Sequence, residues 1–390
     1  MRRAMCLLVV LLLGGCGSET QTTVLRIHYP AGNQTVTLRG SGGPFNWQSG
    51  LAATPGPDNT WTFTTRAITS PIEWKALLGD ATWSHGPNYH VAPGEILDVY
   101  PHFQATRGQV MNLLPGFYSN RLKNYRNVWA YLPPSYAENT AARFPVIYMH
   151  DGQNLFDASK AAFGVEWRAD EAIDAAAESG VCPTGETCQD DEDCGGLRCE
   201  TFREAIIIGP ENTSQRIYEY TPTVDPDVGS GGGGDLYLQM LIEEIKPVVD
   251  NMLRTRPERA HTGLAGSSLG GLISAYGGVR DSDVFGLIGV FSPSTWWDNR
   301  VILTEVASIP TRPQRGLRVY VDSGDSGPSN DDVEDTRVLG QSYRDVGYVE
   351  GNDFHFLVAL GHQHNEYYWS LRLPGALTFL LGPREQPPSK

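Results

Sequence analysis

The sequence predicts an α/β protein with a doubly wound, mostly parallel sheet, preceded by a small all-β sandwich. Short strand patterns separated by glycine, proline, asparagine and aspartate occupy residues 24–103. From residue 120 onward, apolar strand patterns alternate with helical patterns, which favours parallel strands covered on both faces. At residues 266–270 a strand pattern ends in Gly-Ser-Ser-Leu-Gly and continues into a helical run of small residues. This arrangement predicts a sharp turn with an exposed serine at the edge of the sheet.

The N-terminus is predicted to be a targeting segment. Two arginines precede an apolar run at residues 6–13, which is too short to span a bilayer and has the proportions of a signal-peptide core. The run leads into Leu-Gly-Gly-Cys, which resembles a bacterial lipobox ending at Cys16. The resemblance implies a lipoprotein signal peptide at residues 1–15 and a lipid on Cys16, with residues 16–23 as a tether. We therefore expect an exported bacterial lipoprotein, at the outer membrane or cell surface, that meets the membrane only through its lipid anchor. Ordinary secretion is the alternative.

The composition limits the number of domains and the classes of partner that the chain can have. Its 390 residues suffice for one large or two ordinary domains, and 40% of them are hydrophobic, which is a globular value. The net charge of −15 leaves no basic stripe to neutralise phosphates, so we expect no nucleic-acid partner.

Four cysteines cluster in an insert at residues 182–199. They are Cys182, Cys188, Cys194 and Cys199. Their even number, close spacing and exported context predict two local disulfides, for which three pairings are possible. No two of them have Cys-x-x-Cys spacing, which disfavours a zinc site.

The predicted sandwich at residues 24–103 contains recurring aromatic residues. Candidate strands are residues 24–28, 35–39, 60–65, 72–78 and 96–101. The segment resembles immunoglobulin-like carbohydrate-binding modules of the starch-binding and glycogen-binding kind. The matching residues are Thr-Leu-Arg-Gly-Ser at 37–41, Trp47, Trp61, Glu-Trp-Lys at 73–75, Trp-Ser-His-Gly at 83–86 and Asn-Tyr at 88–89. The resemblance implies that exposed tryptophans stack on sugar rings; the alternative is that most of these rings are core residues.

A connector at residues 104–119 leads into the second domain at residues 120–382, and residues 383–390 form a tail. Candidate strands are residues 128–132, 145–150, 205–208, 260–265, 317–321 and 356–360. Candidate helices are residues 165–178, 235–254, 269–279, 336–346 and 367–381. We expect Asp235 to cap the second of these helices and Pro247 to kink it.

Ser268 is the candidate nucleophile, because it is the central serine of the Gly-x-Ser-x-Gly pattern. The flanking glycines fit this role, since a side chain there would clash with the neighbouring strand and helix as the backbone turns. Glycine makes up 43 of the 390 residues, so the pattern needs partners to confirm it. A serine nucleophile requires a base within hydrogen-bond reach and an acid that orients the base.

The candidate base is His364. Where the nucleophile lies on such a turn, the residues follow in the chain order serine, acid, histidine. Three histidines follow Ser268, namely His355, His362 and His364. His355 lies inside a strand pattern, whereas the other two follow that strand in a loop, where open α/β sheets place their chemistry. His364 precedes the last predicted helix and is the prediction.

The acid is expected in the loop at residues 322–332. A carboxylate there would hold the imidazole in one tautomer and stabilise its charged form. Asp331 and Asp332 lie at the start of the next predicted helix, where capping is their alternative role, and Asp325 lies nearer the strand. Asp331 or Asp332 is the prediction, with Asp325 as the alternative.

An oxyanion hole needs two donors aimed at the developing charge. The backbone amide of Leu269, directly after the nucleophile, is one candidate. The second is the amide of Gly152 or Gln153, in the loop after the strand at residues 145–150.

Residues 120–381 resemble the "putative esterase" family of alpha/beta-hydrolases, related to esterase D, feruloyl esterases, enterochelin esterases and mycolyltransferases. The matching segments are residues 148–157, Glu211-Asn212 with Arg216 and Glu219-Tyr220, residues 263–271, residues 291–294 with Trp296-Trp297, and residues 361–366 with Trp369. The resemblance implies an alpha/beta-hydrolase fold, with Ser268 and His364 as nucleophile and base. The chain departs from the family in its cysteine-rich insert and in its acid loop, where Gly327 holds the usual acid position; the acid therefore moves to Asp331 or Asp332.

We therefore predict a serine carboxylic-ester hydrolase that works through an acyl-enzyme, without cofactor or metal. Acyl transfer of the mycolyltransferase kind would use the same residues, and a non-catalytic carbohydrate-binding lipoprotein is the alternative from another class. The substrate stays open between polysaccharide-linked esters, siderophore lactones and simple acyl esters. Arg216, Trp296 and Trp297 are candidate substrate-binding residues, and the two tryptophans fit the core equally well.

Overall fold

The structure is a computed structural model that describes residues 21–182, 186–310 and 317–382. The predicted signal peptide, Cys16, most of the tether and the C-terminal tail lie outside the described residues. Within those three ranges, none of the helices combines the length and the apolar character needed to cross a bilayer.

The N-terminal domain consists of two small sheets. Its strands are β1 Thr23–His28, β2 Val36–Gly40, β3 Leu51–Ala52, β4 Thr54–Pro55, β5 Thr60–Thr65, β6 Ile72–Leu78, β7 Thr82–Trp83, β8 Tyr89–Val91 and β9 Ile96–Val99. One sheet has the order β4-β5-β1-β9, and the other has the order β3-β2-β6-β7 with β8 also paired to β6. Leu25 and Ile27 of β1 pack with Leu38 of β2 and Trp74 of β6 in one core, so the two sheets form a sandwich.

The aromatic residues of the sandwich divide between core and surface. Trp74 is fully buried and its ring contacts that of Tyr89, so both belong to the core. Trp83 is 41% exposed, and its ring lies 6.2 Å from that of Trp47. Trp61 is partly buried and donates a hydrogen bond from its indole to a backbone carbonyl. A sugar-stacking role therefore remains open to Trp47 and Trp83 alone among these four tryptophans.

The second domain contains one large sheet covered by helices. Its strands are β10 Gln109–Tyr118, β11 Tyr125–Leu132, β12 Val146–Met149, β13 Ile206–Pro210, β14 Val224–Asp225, β15 Ser230–Gly231, β16 Thr262–Ser268, β17 Leu287–Pro293, β18 Arg318–Gly324 and β19 Phe354–Ala359. Its helices are α1 Pro134–Glu138, α2 Ala169–Ser179, α3 Arg216–Glu219, α4 Gly234–Gln239, α5 Lys246–Met252, α6 Leu269–Arg280, α7 Trp297–Ala307, α8 Val333–Asp345 and α9 Glu366–Leu381.

The eight-stranded sheet has the order β10-β11-β13-β12-β16-β17-β18-β19. The last six strands of this order are parallel, and β10 and β11 are antiparallel to their neighbours. Val146 and Tyr148 of β12 face the core shared with α4 to α8, whereas Ile147 and Met149 face the core shared with α2 and α9. Successive side chains of a strand point to opposite faces, so helices cover both. The predicted doubly wound α/β fold is confirmed.

The structure corrects the predicted connector. Gln109–Tyr118 is not a linker but the edge strand of the large sheet, paired with β11. Two register shifts interrupt this pairing, and Gly116 has a φ of 61°. Such bulges break the period-2 alternation by which strands are recognised in a sequence, which explains the error. The connector is therefore confined to residues 104–108.

The predicted long helix at residues 235–254 is divided. A π-helical segment, Met240–Ile245, separates α4 from α5, and Pro247 lies in the first turn of α5. The residue that precedes α4 is Gly233, so the prediction of Asp235 as the cap is wrong. Asp235 lies in the first turn and accepts a 2.8 Å hydrogen bond from Tyr276. An acidic side chain there still interacts favourably with the positive end of the helix dipole.

Two disulfides are present in the insert, as predicted. Cys182 pairs with Cys194, and Cys188 pairs with Cys199. The insert also approaches the sandwich, where Asp191 lies 3.9 Å from the ring of His90.

Candidate active site

Ser268 lies where β16 meets α6, at the carboxyl edge of the large sheet. Its backbone has φ 57° and ψ −122°, a strained conformation for a residue with a side chain. A Cβ atom on Gly266 would lie 2.8 Å from the His150 ring, so the turn requires glycine at that position. The Ser268 hydroxyl lies 3.3 Å from that of Ser294, which follows β17. The geometry is that of a partly buried serine on a nucleophile elbow.

His364 and Asp331 come together from two different loops. His364 lies between β19 and α9, and Asp331 lies between β18 and α8. The Nδ1 atom of His364 donates a hydrogen bond of 2.6 Å to Oδ1 of Asp331. The Asp331 side chain is completely buried, while that of His364 is 34% exposed. A buried carboxylate that accepts from Nδ1 leaves Nε2 as the basic atom of the imidazole.

The two other candidate acids occupy different positions. Asp332 precedes α8 as its N-cap residue and has a φ of 50°. Its pKa is raised by burial, an effect that the charge of His364 opposes. Asp325 accepts a 2.6 Å hydrogen bond from the amide of Gly361 and so holds the loop that carries His364. Among these three aspartates, only Asp331 is hydrogen-bonded to the His364 ring in the described part of the chain.

The surroundings of Asp331 favour its ionised form. Burial alone would raise the pKa of this carboxyl, but hydrogen bonds from His364 and Ser292 and from the Gly324 amide lower it below its usual value. The hydroxyl of Ser292 lies 2.6 Å from Oδ2. A carboxylate that receives several hydrogen bonds stays charged even when it is buried.

Ser268 and His364 are not hydrogen-bonded to each other in the described structure. Both border the end of β17, where Ser294 contacts Ser268 and Ser292 contacts Asp331. In substrate-free enzymes the bond between nucleophile and base is often long and shortens only when substrate binds.

The candidate amide donors of the oxyanion hole lie at two helix starts. Leu269 is the first residue of α6, and Gly152 and Gln153 open a short 3₁₀ helix, Gly152–Asn154, after β12. Amides in the first turn of a helix have no acceptor within that helix, so they can bind an anion. A Cβ atom on Gly152 would lie 2.1 Å from the carbonyl oxygen of Gly209, which permits only glycine there.

Asp151 and Arg216 form an ion pair beside this loop. Asp151 adopts a left-handed backbone conformation, and its carboxylate accepts two hydrogen bonds from Arg216, of 2.7 and 2.8 Å, and one of 2.6 Å from Asn212. Burial would raise the pKa of Asp151, but Arg216 lowers it overall. Arg216 retains 28% exposure of its side chain, so it can also meet a substrate.

The two candidate tryptophans differ in position. Trp296 is 43% exposed. Trp297 is buried, and its indole donates a 3.1 Å hydrogen bond to the carbonyl of Thr223. The substrate-binding prediction is therefore wrong for Trp297, because its side chain is a core residue, and it stays a prediction for Trp296 and Arg216.

A buried polar group beneath the site was not predicted. It joins Ser292 to Arg372 of α9 and to Asp322 of β18. A signal was available, since Arg372 is the one charged residue between Glu366 and Leu381 in an otherwise apolar helix pattern. A lone charge on an apolar face indicates a buried partner, but its identity depends on how distant segments pack.

A known protein family matches this second domain. The model of the family described as "Putative esterase" matches residues 119–196 and 194–380. The uncharacterized protein YbbA of Bacillus subtilis is 26% identical over 282 residues, which cover 69% of this chain and 98% of that protein. The siderophore enterobactin esterase of Emericella nidulans is 28% identical over 176 residues, which cover 40% of this chain and 58% of that protein. The solved structure of the BES protein from Bacillus cereus has a TM-score of 0.51 at 19% identity and covers 72% of this chain and 96% of that one, a likeness of fold.

Proposed function

Because this chain belongs to the putative esterase family of α/β-hydrolases and is a carboxylic ester hydrolase, we propose that Ser268, His364 and Asp331 are its catalytic triad. The observation that carries this proposal is the 2.6 Å hydrogen bond between His364 and the buried Asp331, together with the strained backbone of Ser268. Both features lie at the carboxyl edge of the parallel sheet, where such folds place their active sites.

The proposed reaction proceeds in two halves. Nε2 of His364 takes the proton of the Ser268 hydroxyl as the serine oxygen attacks the ester carbonyl. The amides of Leu269 and of Gly152 or Gln153 stabilise the negative oxygen that forms. His364 then gives its proton to the leaving alcohol, which leaves an acyl group on Ser268. Water, deprotonated by His364, releases the acid and restores the serine.

The proposed substrate is a siderophore ester or an ester linked to a polysaccharide. Siderophore esters come first, because a relative that is 28% identical over an aligned 40% of this chain is named as a siderophore enterobactin esterase. The partly exposed guanidinium of Arg216 could bind an anionic or strongly polar group of the substrate close to the ester. The exposed ring of Trp296 could stack on an aromatic or sugar ring of the substrate. The ratio of kcat/KM for a siderophore lactone to that for a feruloylated oligosaccharide distinguishes the two classes.

We also propose export and lipid anchoring through Cys16. The sequence around Cys16 and the two disulfides support this, because disulfides persist in oxidising compartments. Labelled fatty acid should be incorporated into the full chain in a bacterial host and not into Cys16→Ala. Equal labelling of both would contradict the proposal.

A second function, sugar binding by the sandwich, is supported by Trp47 and Trp83. Their rings are tilted by 36° at 6.2 Å, and Arg39 lies 5.3 Å above the ring of Trp83. Retention on insoluble polysaccharide should be lost in the double variant Trp47→Ala, Trp83→Ala. The absence of retention in the parent would contradict this role while leaving the hydrolase unaffected.

The triad is tested with p-nitrophenyl esters of short acids. Ser268→Ala and His364→Ala should each lower kcat by about 10⁴-fold or more, because members of a triad act as a unit. Ser267→Ala is a matched control, since it changes the neighbouring serine, and it should stay within about tenfold of the parent. A fluorophosphonate should label the parent on Ser268. Full activity in Ser268→Ala would overturn the proposed triad. Analysis of the products formed with and without an added alcohol distinguishes hydrolysis from acyl transfer.

A further inference from the structure

We propose that Ser292 and Arg372 are positioning residues that hold Asp331 as an ionised acceptor for His364 and so set the pH range in which the site works. The inference rests on the proposed triad. It concerns two side chains that do not meet the substrate and act only through Asp331. The reasons lie in the hydrogen bonds of Ser292, in the buried charge of Arg372 and in the backbone of Ser292.

The hydroxyl of Ser292 has one possible orientation. The indole nitrogen of Trp369 donates to its oxygen at 3.0 Å, and Nη2 of Arg372 donates to it at 2.8 Å. A hydroxyl has two acceptor sites and one proton, so both acceptor sites are taken. Its proton therefore points to Oδ2 of Asp331, 2.6 Å away. Ser292 is fully buried, and no rotation towards solvent competes with this arrangement.

The same oxygen of Asp331 is held from a second side by the backbone amide of Gly324. With Oδ2 engaged by these two donors, Oδ1 is left to accept from Nδ1 of His364. The carboxylate is therefore fixed in rotation as well as in charge. An acid that orients a base has to be fixed in this way, because a small displacement of the base is costly for proton transfer.

Arg372 supplies the positive charge behind this arrangement. Its guanidinium forms two hydrogen bonds with Asp322, of 2.8 and 3.1 Å, and both side chains are almost completely buried. Nη2 also lies 3.9 Å from Oδ2 of Asp331. Arg372 thus stands between two buried carboxylates. A buried cation at this distance favours the ionised form of each. Burial would raise the pKa of Asp331, but hydrogen bonds from His364, Ser292 and the Gly324 amide lower it below its usual value.

The backbone of Ser292 is strained, with a φ of 39° at the end of β17. A residue other than glycine in this region costs on the order of 1–3 kcal/mol and persists only where its surroundings hold it. The amide of Ser292 donates to Asp322 at 3.2 Å, so the Arg372–Asp322 pair binds the backbone as well as the hydroxyl. The strained conformation directs the hydroxyl to Asp331, which indicates a role in the site.

Other charged groups also lie near the His364–Asp331 pair. Asp332 ahead of α8 and Glu366 at the start of α9 interact with His364. His362 in the same loop interacts with Asp331 and contacts Arg372 at 3.4 Å. None of them donates to Asp331 among the described hydrogen bonds. Their contribution to the pH dependence is common to the parent and to variants of Ser292, so it cancels in a comparison of the two.

The test is the pH profile of kcat/KM for the full chain with a p-nitrophenyl ester. Ser292→Ala removes the proton donated to Asp331, which makes Asp331 a stronger base and stabilises the protonated His364 ring. The acid limb of the profile should move up by about 0.5 to 1 pH unit, and the plateau should fall about tenfold. Arg372→Met should move the acid limb in the same direction, and Arg372→Lys, which keeps the charge, should move it less.

Arg126→Met is the matched control. This substitution breaks the Arg126–Glu219 ion pair, which is fully buried, like the Arg372–Asp322 pair, but does not contact Asp331. Arg126→Met should therefore lower the stability of the protein without moving the acid limb of the pH profile. If Arg372→Met does not fold, Ser292→Ala alone tests the proposal. This variant should still fold, because it removes one oxygen atom and no charge. An acid limb of Ser292→Ala at the parent's pH would overturn the positioning role. Full activity in Ser268→Ala would instead overturn the triad on which the inference rests, so the two failures are distinguishable.

Discussion

Nδ1 of His364 lies 2.6 Å from Oδ1 of Asp331, although the two residues are 33 positions apart in the chain. The loops that carry them follow β19 and β18, which are parallel neighbours in the large sheet. Parallel neighbours end at the same edge, so the two loops meet there. The same edge carries Ser268 at the end of β16.

The first prediction concerns the choice between neighbouring aspartates. Asp331→Asn should lower kcat by about 10³- to 10⁴-fold, because an amide can hold His364 in the wrong tautomer. Asp332→Asn and Asp325→Asn should each stay within about tenfold of the parent, since neither carboxylate bonds to the ring. Steady-state kinetics at a fixed pH measure all three. A larger loss in Asp332→Asn than in Asp331→Asn would assign the acid to Asp332.

The second prediction concerns the loop after β12. Gly152→Ala would place a Cβ atom 2.1 Å from the carbonyl oxygen of Gly209. The clash is between two backbone segments, so a side-chain rotation cannot relieve it. The amides of Gly152 and Gln153 should shift, and kcat should fall about 10²-fold. The control is Gly116→Ala, where no atom lies within 4 Å of the added carbon, although the backbone there has a positive φ of 61°. Unchanged kcat in Gly152→Ala would remove this loop from the oxyanion hole.

The third prediction concerns the junction of the two domains. The carboxylate of Glu138 accepts hydrogen bonds from three successive amides, those of residues 103–105, and from the Tyr29 hydroxyl. Glu138→Ala should remove this clamp and weaken the coupling of sandwich and hydrolase by about 2–4 kcal/mol. Calorimetry should then resolve two transitions, and proteolysis should become faster within residues 104–108.

Glu244 provides the control for this junction. Its carboxylate accepts hydrogen bonds from the Ser119 hydroxyl and from the amides of Asn120 and Arg121, all within the second domain. Glu244→Ala should lower the transition temperature of that domain without dividing the transition. One cooperative transition in Glu138→Ala would mean that other contacts carry the coupling.

The fourth prediction concerns pH and stability. Burial raises the pKa of Glu204 to about 7, although hydrogen bonds from Ser135 oppose the shift. A carboxyl whose pKa is raised on folding contributes stability that is complete below its unfolded pKa, about 4.3, and is lost as pH rises towards 7. Glu204→Gln has no charge to bury. Relative to the parent, its free energy of unfolding should increase by about 3 kcal/mol between pH 4.5 and pH 8.

Denaturant unfolding at a series of pH values measures this difference. Gln can still accept from the Ser135 amide, so the two proteins should have similar stability at pH 4.5. Parallel stability curves for parent and variant across this range would show that Glu204 is solvated well enough to ionise at its ordinary pKa.

Most of the large strands and helices followed from sequence periodicity. β5 and β6 begin and end where the sequence predicts, and α6 and α9 agree within one residue at each end. The predictions failed where the local pattern is broken, as in β10, whose bulges interrupt the alternation, and β17, which was not predicted. The periodic pattern of apolar and polar residues indicates which face of a single helix or strand is exposed to solvent. This pattern is lost where the backbone bends or where both faces of the element are buried.

The sequence by itself determined the sharp turn at Ser268, the chain order of the proposed nucleophile, acid and base, and the presence of two local disulfides. These features depend on residues close together in sequence, since a sharp turn needs glycine where a side chain would clash and a short loop brings its own cysteines together. Only the tertiary structure decided that Asp331 rather than Asp332 pairs with His364. Residues 330–332 all have positive φ, from 50° to 54°. Asp331 is buried at this bend, and Asp332 lies at the N-cap position of α8 without a capping hydrogen bond from its side chain within the described residues. Tertiary packing likewise brought Arg372 to Ser292, because the partner of a buried charge is set by how distant segments pack and not by their spacing.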